Sequence, residues 1–138
     1  MNTKYNRFIT LSNGLVPPVE EWKTRTANFS YALYGNKIIS YGINCAKTHP
    51  TNLRNRKINK NGIDYSDRGY SCSELICLNR VKRKTNIDFN KIILVNIRLD
   101  RNNTVRNSRP CKSCSGIINF LKPKRVYYTD DNGEFQIY

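Results

Sequence analysis

The sequence predicts a three-layer α/β/α domain built around a mixed five-stranded sheet. Three observations support this prediction: a β-hairpin early in the chain, a continuous apolar strand in its second half, and amphipathic helices before and after that strand. The chain has 138 residues, which is enough for one domain with one core. We therefore expect a single domain over 1–138, with 1–18 as an irregular N-terminal segment.

The first elements of the chain are expected to be a turn and a hairpin. Residues 1–18 lack clear periodicity, and Asn13-Gly14 is typical of a turn. Farther along, Phe29–Tyr34 and Lys37–Gly42 are rich in β-branched and aromatic residues and are separated by Gly35-Asn36. This pattern predicts two antiparallel strands joined by a two-residue turn.

A long polar loop and the first amphipathic helix follow the hairpin. Residues 51–70 are polar and contain several turn signals, so we expect a loop that borders a functional site. After Cys72, apolar residues recur at helical spacing and predict a helix: Leu75, Ile76, Leu78 and Val81. The continuous apolar run Lys91–Ile97 then predicts a buried central strand.

The last part of the chain is expected to add a helix and two strands. Residues 100–108 are interpreted as a loop, and a helix begins at Cys111 and ends before Pro123. Arg125–Thr129 predicts a strand, and a turn at 130–133 predicts an antiparallel return over 134–138.

Three cysteines have the spacing of metal ligands. Cys111 and Cys114 lie three residues apart at a predicted helix start, where side chains at i and i+3 face the same way. Pro110 suits the position just before that helix, and Cys72 stands at the start of the other helix. Three protein ligands leave the fourth position of a tetrahedral zinc ion open, as a catalytic site requires.

A structural zinc site is the main alternative to this interpretation. It would need a fourth ligand, which Cys45, His49 or Cys77 would have to supply. Cys77 falls on the same predicted helix as Cys72 but away from its face, so we expect it in the core. A lone C-x-x-C could also be a redox pair, so the specific signal is the combination of C-x-E with P-C-x-x-C.

Cys72-x-Glu74 followed by Pro110-Cys111-x-x-Cys114 resembles the all-cysteine form of the zinc-dependent cytidine/deoxycytidylate deaminase superfamily. The resemblance implies a Zn²⁺ enzyme that converts cytosine to uracil. It assigns Cys72, Cys111 and Cys114 to the metal and Glu74 to proton transfer as the catalytic residue. An adenine-directed deaminase of the same superfamily remains an alternative.

The resemblance also implies substrate contacts before the first zinc helix. Asn44 resembles the family asparagine that hydrogen-bonds the substrate sugar, although an asparagine that caps a turn fits equally well. The run Lys47-Thr48-His49-Pro50 resembles small, mostly viral deaminase-like proteins, so Thr48 and His49 are candidates for sugar or phosphate contacts. Ser73, beside Glu74, is the fourth candidate.

One residue departs from the family pattern. Free-nucleoside deaminases with three cysteine ligands often have an arginine directly after the catalytic glutamate, and this chain has Leu75 there. Three thiolates make bound water less acidic, so another cation would have to offset their charge. Arg98, Arg109 and Lys112 are the candidates.

The composition indicates a polyanionic partner. The net charge is +14, from 24 Lys and Arg against 10 Asp and Glu. Such a balance favours a phosphate-bearing substrate, either a nucleotide such as deoxycytidylate or single-stranded DNA or RNA. A solvated surface of a lysine-biased protein explains the charge about as well. A non-catalytic nucleic-acid-binding protein with a structural zinc is the alternative function.

The sequence also predicts where the protein works. The chain has no apolar run long enough to span a membrane, and because its first residues lack an apolar stretch we expect no signal peptide. Five cysteines, with three in metal spacing, indicate a reducing compartment rather than a disulfide framework. We therefore expect a cytoplasmic protein with no membrane partner, in a host cell if it is viral. Members of the superfamily are often dimers or tetramers, so the resemblance is compatible with a homo-oligomer.

Overall fold

The structure is a computed structural model that describes residues 4–15, 26–43, 72–84, 86–100, 102 and 104–138. The described residues form three α-helices and one open mixed sheet of six strands. This confirms the expected α/β class and is consistent with the three-layer arrangement.

The sheet has five strands along its main path and a short sixth strand beside them. The strands are β1 (Thr26–Tyr34), β2 (Lys37–Ile43), β3 (Ile92–Asp100), β4 (Val105–Arg106), β5 (Arg125–Thr129) and β6 (Phe135–Ile137). Their order is β2-β1-β3-β5-β6, and β4 pairs with the end of β3. Among the strand pairs of the described residues, β3 with β5 is the only parallel one. The strand β4 lies within 100–108, the stretch expected to be a loop.

The helices cover both faces of the sheet. They are α1 (Asn6–Leu15), α2 (Ser73–Lys84) and α3 (Lys112–Leu121), and a short 3-10 turn at Phe89–Lys91 leads into β3. Alternate residues of β3 point to opposite sides, so Leu94 packs in one core with α2 and α3 while Val95 packs in the other with α1. The central strand is therefore apolar on both faces, as its continuous apolar run predicts.

Helix α1 is a correction to the sequence analysis. The segment was expected to be irregular with a turn at Asn13-Gly14, but both residues lie inside α1. The apolar period of this helix is interrupted by a serine: Ser12 is fully buried on the same side as Phe8. Its Oγ donates to the Phe8 carbonyl at 2.7 Å and lies 2.7 Å from the Tyr31 hydroxyl oxygen. A polar residue thus fills a core position because its partners satisfy it.

Gly42 sets how closely α2 lies against the hairpin. Gly42 pairs with Ser30 across β1 and β2. A Cβ atom at Gly42 would lie 2.5 Å from the Ser73 carbonyl oxygen and 2.8 Å from the Cys77 nitrogen. Both atoms are main-chain atoms of α2. Only glycine therefore allows the first turn of α2 to approach the sheet at this distance.

Helix α2 also contacts β2, the strand at one edge of the sheet. Arg80 donates from Nη1 to the Tyr41 carbonyl at 2.7 Å, and its guanidinium lies 5.5 Å from the centre of the Tyr41 ring. Among the described residues, we find no helix with the length and apolar character needed to cross a membrane.

Candidate metal centre

The first turns of α2 and α3 meet at one end of the sheet. Helix α2 leads into β3 and α3 follows it, so both helices begin near the carboxyl end of that strand, where α/β folds commonly place their sites. Cys72 and Cys111 occupy equivalent positions just before the two helices. The Cys72 carbonyl accepts from the Ile76 amide at 3.1 Å, and the Cys111 carbonyl accepts from the Ser115 amide at 2.7 Å.

Three thiols converge at these helix starts. The Sγ atoms of Cys72, Cys111 and Cys114 all lie within 4.8 Å of one another. Thiolates bound at about 2.3 Å to one tetrahedral ion would lie about 3.8 Å apart, so the three can hold a metal ion with small adjustments. Cys72 and Cys114 are buried, and Cys111 is half-buried. The donor set fits a soft or borderline ion such as Zn²⁺.

Cys77 does not join this group. Its side chain is fully buried in the core between α2 and the sheet, as expected, and burial raises the pKa of its thiol to about 12. Among the described residues, the three clustered cysteines are the only group of this kind.

The crowding of the three thiols opposes their ionisation in the metal-free protein. The hydrogen bond with Cys111, followed by burial, raises the pKa of the Cys72 thiol to about 12, even though the contact with Cys114 lowers it. Hydrogen bonds to Cys111 and Cys72 and then burial raise the pKa of Cys114 well above its ordinary value. A cation at the centre would reverse this balance, because it favours the thiolates directly.

Glu74 lies in the first turn of α2, next to the thiol cluster. Its side chain is 8% exposed. Burial raises the pKa of the Glu74 carboxyl, and the hydrogen bond from Ser73 opposes the rise. Ser73 Oγ donates to Glu74 Oε1 at 2.7 Å, and Ser30 Oγ on β1 lies 3.3 Å from the same oxygen.

Three buried polar side chains form a network behind this carboxylate. Ser30 Oγ lies 2.8 Å from Ser73 Oγ and 2.7 Å from Asn96 Oδ1. Asn96 is 1% exposed, and its Nδ2 has no partner among the described residues. With the Asn96 amide reversed, Nδ2 would donate to Ser30 Oγ and leave the Ser30 proton for Glu74. The network therefore orients Glu74 from the sheet side.

A pocket of about 180 Å³ opens onto the cluster. Glu74, Cys72, Ser73 and Cys111 form its floor, and its other lining residues are Asn28, Arg98, Asn107, Ser108 and Arg109. Among the described residues of the lining, Glu74 is the only acid, against two arginines. The charge of this pocket favours an anionic ligand.

The loop that leads to α3 is fixed by Ser108. Its amide donates to the Thr129 carbonyl at 2.8 Å, and its Oγ donates to the Asn96 carbonyl at 2.8 Å. The neighbouring Arg109 is exposed, and its guanidinium lies 5.8 Å from the Tyr128 ring centre and 5.4 Å from that of Tyr138. The buried serine thus sets the wall of the pocket, and the arginine is held at its rim.

The structure brings together some of the residues singled out in the sequence and leaves others out. The three cysteines, Glu74 and Ser73 share one site. Asn44, Thr48 and His49, expected to contact substrate, lie outside the described residues. Of the three cations considered as offsets for the thiolates, Arg98 and Arg109 line the pocket, whereas the side chain of Lys112 lies outside the described part.

The sequence analysis missed Ser30, Asn96 and Asn28. Ser30 and Asn96 are direct partners in the register of β1 and β3, which only the pairing of the strands could show. Their one sequence signal is a polar residue inside an otherwise apolar strand.

No protein-family model matches the chain, and no curated protein matches it either. The function of the chain is therefore inferred from the three cysteines, Glu74 and the residues around them.

Proposed function

We propose that this protein is a zinc-dependent hydrolytic deaminase that converts a cytosine base to uracil in a phosphate-bearing substrate. The observation that carries the proposal is the buried Glu74 carboxylate beside three thiols that lie within 4.8 Å of one another. A purely structural zinc has no use for a carboxylate at this place, whereas hydrolysis at a metal requires a proton carrier.

The cysteines and the glutamate would have separate roles. Cys72, Cys111 and Cys114 would hold Zn²⁺, which in such sites supplies an activated water as nucleophile. Glu74 would accept a proton from the attacking water and pass protons to the ring nitrogen and to the departing amine, so that cytosine and water give uracil and ammonia. Burial raises the pKa of the Glu74 carboxyl, which favours its protonated form and suits a group that donates as well as accepts protons.

The substrate is proposed to carry phosphate. Arg98 and Arg109 line the pocket beside the three thiols, which we call the catalytic pocket because of the chemistry proposed for it. The whole chain carries a net charge of +14. Asn44, Thr48 and His49 stay as proposed sugar or phosphate contacts because of the family resemblance alone. A nucleotide such as deoxycytidylate and a single-stranded nucleic acid both meet these requirements.

A second candidate is a non-catalytic nucleic-acid-binding protein that uses the metal for folding. One observation favours it: Leu75, which follows Glu74, is 3% exposed in the core and offers no charge to balance three thiolates. Only the first candidate converts its substrate, so an assay for deamination separates the two.

The test is a mass-spectrometric assay of the zinc-containing protein. Wild type, Glu74→Ala and the control Glu134→Ala are incubated with dCMP, cytidine, adenosine, single-stranded DNA and RNA. Glu134 lies outside the pocket lining, so its variant should behave as wild type. We expect the mass change of an amine becoming a carbonyl in wild type and control but not in Glu74→Ala. Absence of conversion with zinc bound would refute deamination of these substrates.

A further inference from the structure

A second cavity lies at the C-terminal end of α3. It has a volume of about 440 Å³ and lies where α3 ends and β5 begins. Lys122, Lys124 and Arg125 line it together with Ile137 and Tyr138, and none of the described lining residues has an acidic side chain. We call this cavity the basic groove.

The three cations of the basic groove are exposed, and none forms an ion pair with any described residue. In the described part of the chain, the ion pair within 4 Å joins Arg106 to Asp100, away from the groove. Positive charges gathered on one surface without acids raise the local potential and attract polyanions. The positive charges of the groove are therefore not neutralised by ion pairs with the described residues.

Tyr138 connects the basic groove to the catalytic pocket. Its ring lines the groove and lies 5.4 Å from the guanidinium of Arg109, which lines the pocket. The Tyr138 hydroxyl contacts Ser115 Oγ on α3 at 2.5 Å, and this contact fixes the ring against the helix. A cation and an aromatic ring stacked between two basic cavities provide flat surfaces for bases beside charges for phosphates.

The features of this surface select one kind of occupant. A free nucleotide would fill the catalytic pocket and leave the groove unused. A second copy of the chain, with a net charge of +14, would bring like charges together. An anionic chain with aromatic bases uses the cations, the stacked pair and the pocket at the same time.

We infer that the basic groove and the Arg109–Tyr138 pair bind a single-stranded nucleic acid and lead its target base into the catalytic pocket. This inference rests on the proposed function, since it extends the substrate of that site from a phosphate-bearing base to a polynucleotide.

Binding is tested with the full-length protein and a fluorescently labelled, cytosine-free single strand, by anisotropy between 50 and 200 mM salt. The double variant Lys124→Gln/Arg125→Gln removes two groove charges. The matched control Lys82→Gln/Arg83→Gln removes two exposed charges from α2, which packs over the hairpin instead. Each lost phosphate contact should reduce the slope of log affinity against log salt by about 0.7. The groove variant should therefore lose about 1.4 in slope, and the control should keep the wild-type slope.

Tyr138 gives an independent test of stacking. Tyr138→Leu should weaken binding at least about fivefold, whereas Tyr138→Phe should retain it, because a base can stack on either ring. Thermal melts of all variants identify any that lose their fold.

The outcomes of these measurements separate the two proposals. Equal losses in the groove and control variants, or no binding at 50 mM salt, would overturn the inference. Conversion of dCMP without such binding would support the proposed deaminase and refute the groove. Binding that depends on the groove in a protein without deaminase activity would support the groove as a nucleic-acid site and refute the proposed deaminase. A dimer that the groove variant dissociates would make a second copy the occupant and would also overturn it.

Discussion

Gly42→Ala should damage the metal centre although Gly42 contributes no ligand. The added Cβ would lie 2.5 Å from the Ser73 carbonyl oxygen and 3.1 Å from the Ile76 Cβ, whereas ordinary contacts begin at 3.4 Å. The first turn of α2 would have to move by about 0.9 Å, and main-chain atoms cannot rotate out of the way. Ser73 lies between Glu74 and Cys72, one of the three cysteines that could hold a metal ion, so both would move with it.

The expected effects follow from this displacement. Overpacking of this kind costs about 1–3 kcal/mol, so the melting temperature should fall by roughly 4–12 °C for a chain of this size. Zinc affinity should fall about 10- to 100-fold, as it does when the support of a ligand is disturbed.

Two assays measure these effects, and Gly14 provides the control. Thermal unfolding gives the stability, and competition with a chromophoric chelator gives the zinc affinity. A Cβ atom added at Gly14, in α1, would meet no atom within 4 Å. Gly14→Ala should therefore keep the affinity and stabilise the helix by up to about 1 kcal/mol. A Gly42→Ala variant with wild-type zinc affinity and melting temperature would refute the argument.

Three further predictions concern the same site. Cys114→Ala should abolish tight binding of one zinc per chain. Cys77 is as buried as Cys114, but Cys77→Ala should lose only about 1 kcal/mol of stability and keep the metal. Atomic absorption after dialysis distinguishes the two variants. Zinc affinity should rise steeply with pH, because thiols whose pKa values are raised must release protons to bind the ion; calorimetry in buffers of different ionisation enthalpy should detect that release. Glu74→Gln should raise the melting temperature of the metal-free protein at neutral pH by roughly 4 °C, for about 1 kcal/mol. Burial raises the pKa of the Glu74 carboxyl in the folded protein, so the metal-free wild type should lose stability as the pH rises through the folded-state pKa. Glu74→Gln has no such group and should not show this loss. An unchanged pH dependence of the melting temperature in the variant would contradict this.

The sequence was informative where local pattern decides structure. Two runs of strand-forming residues separated by Gly35-Asn36 predicted the hairpin, and Gly35 adopts φ 63° at its turn. The apolar run predicted β3, and the cysteine spacing predicted which thiols converge. Pattern failed at Ser12 and at Ser30, because both are polar residues in buried positions. Their satisfaction depends on partners that are distant in sequence and that only tertiary packing brings near.

Arg80 has a consequence for how copies of the chain meet. In the part of the chain that the structure describes, strand β2 ends the sheet on one side, and the free main-chain groups of an edge strand can recruit a strand from another molecule. Arg80 occupies the Tyr41 carbonyl and covers the Tyr41 ring, so an incoming strand would have to displace a hydrogen-bonded cation. The same arginine would also repel a second copy with the same positive charge. Arg80 thus protects this edge against strand addition and against aggregation through it.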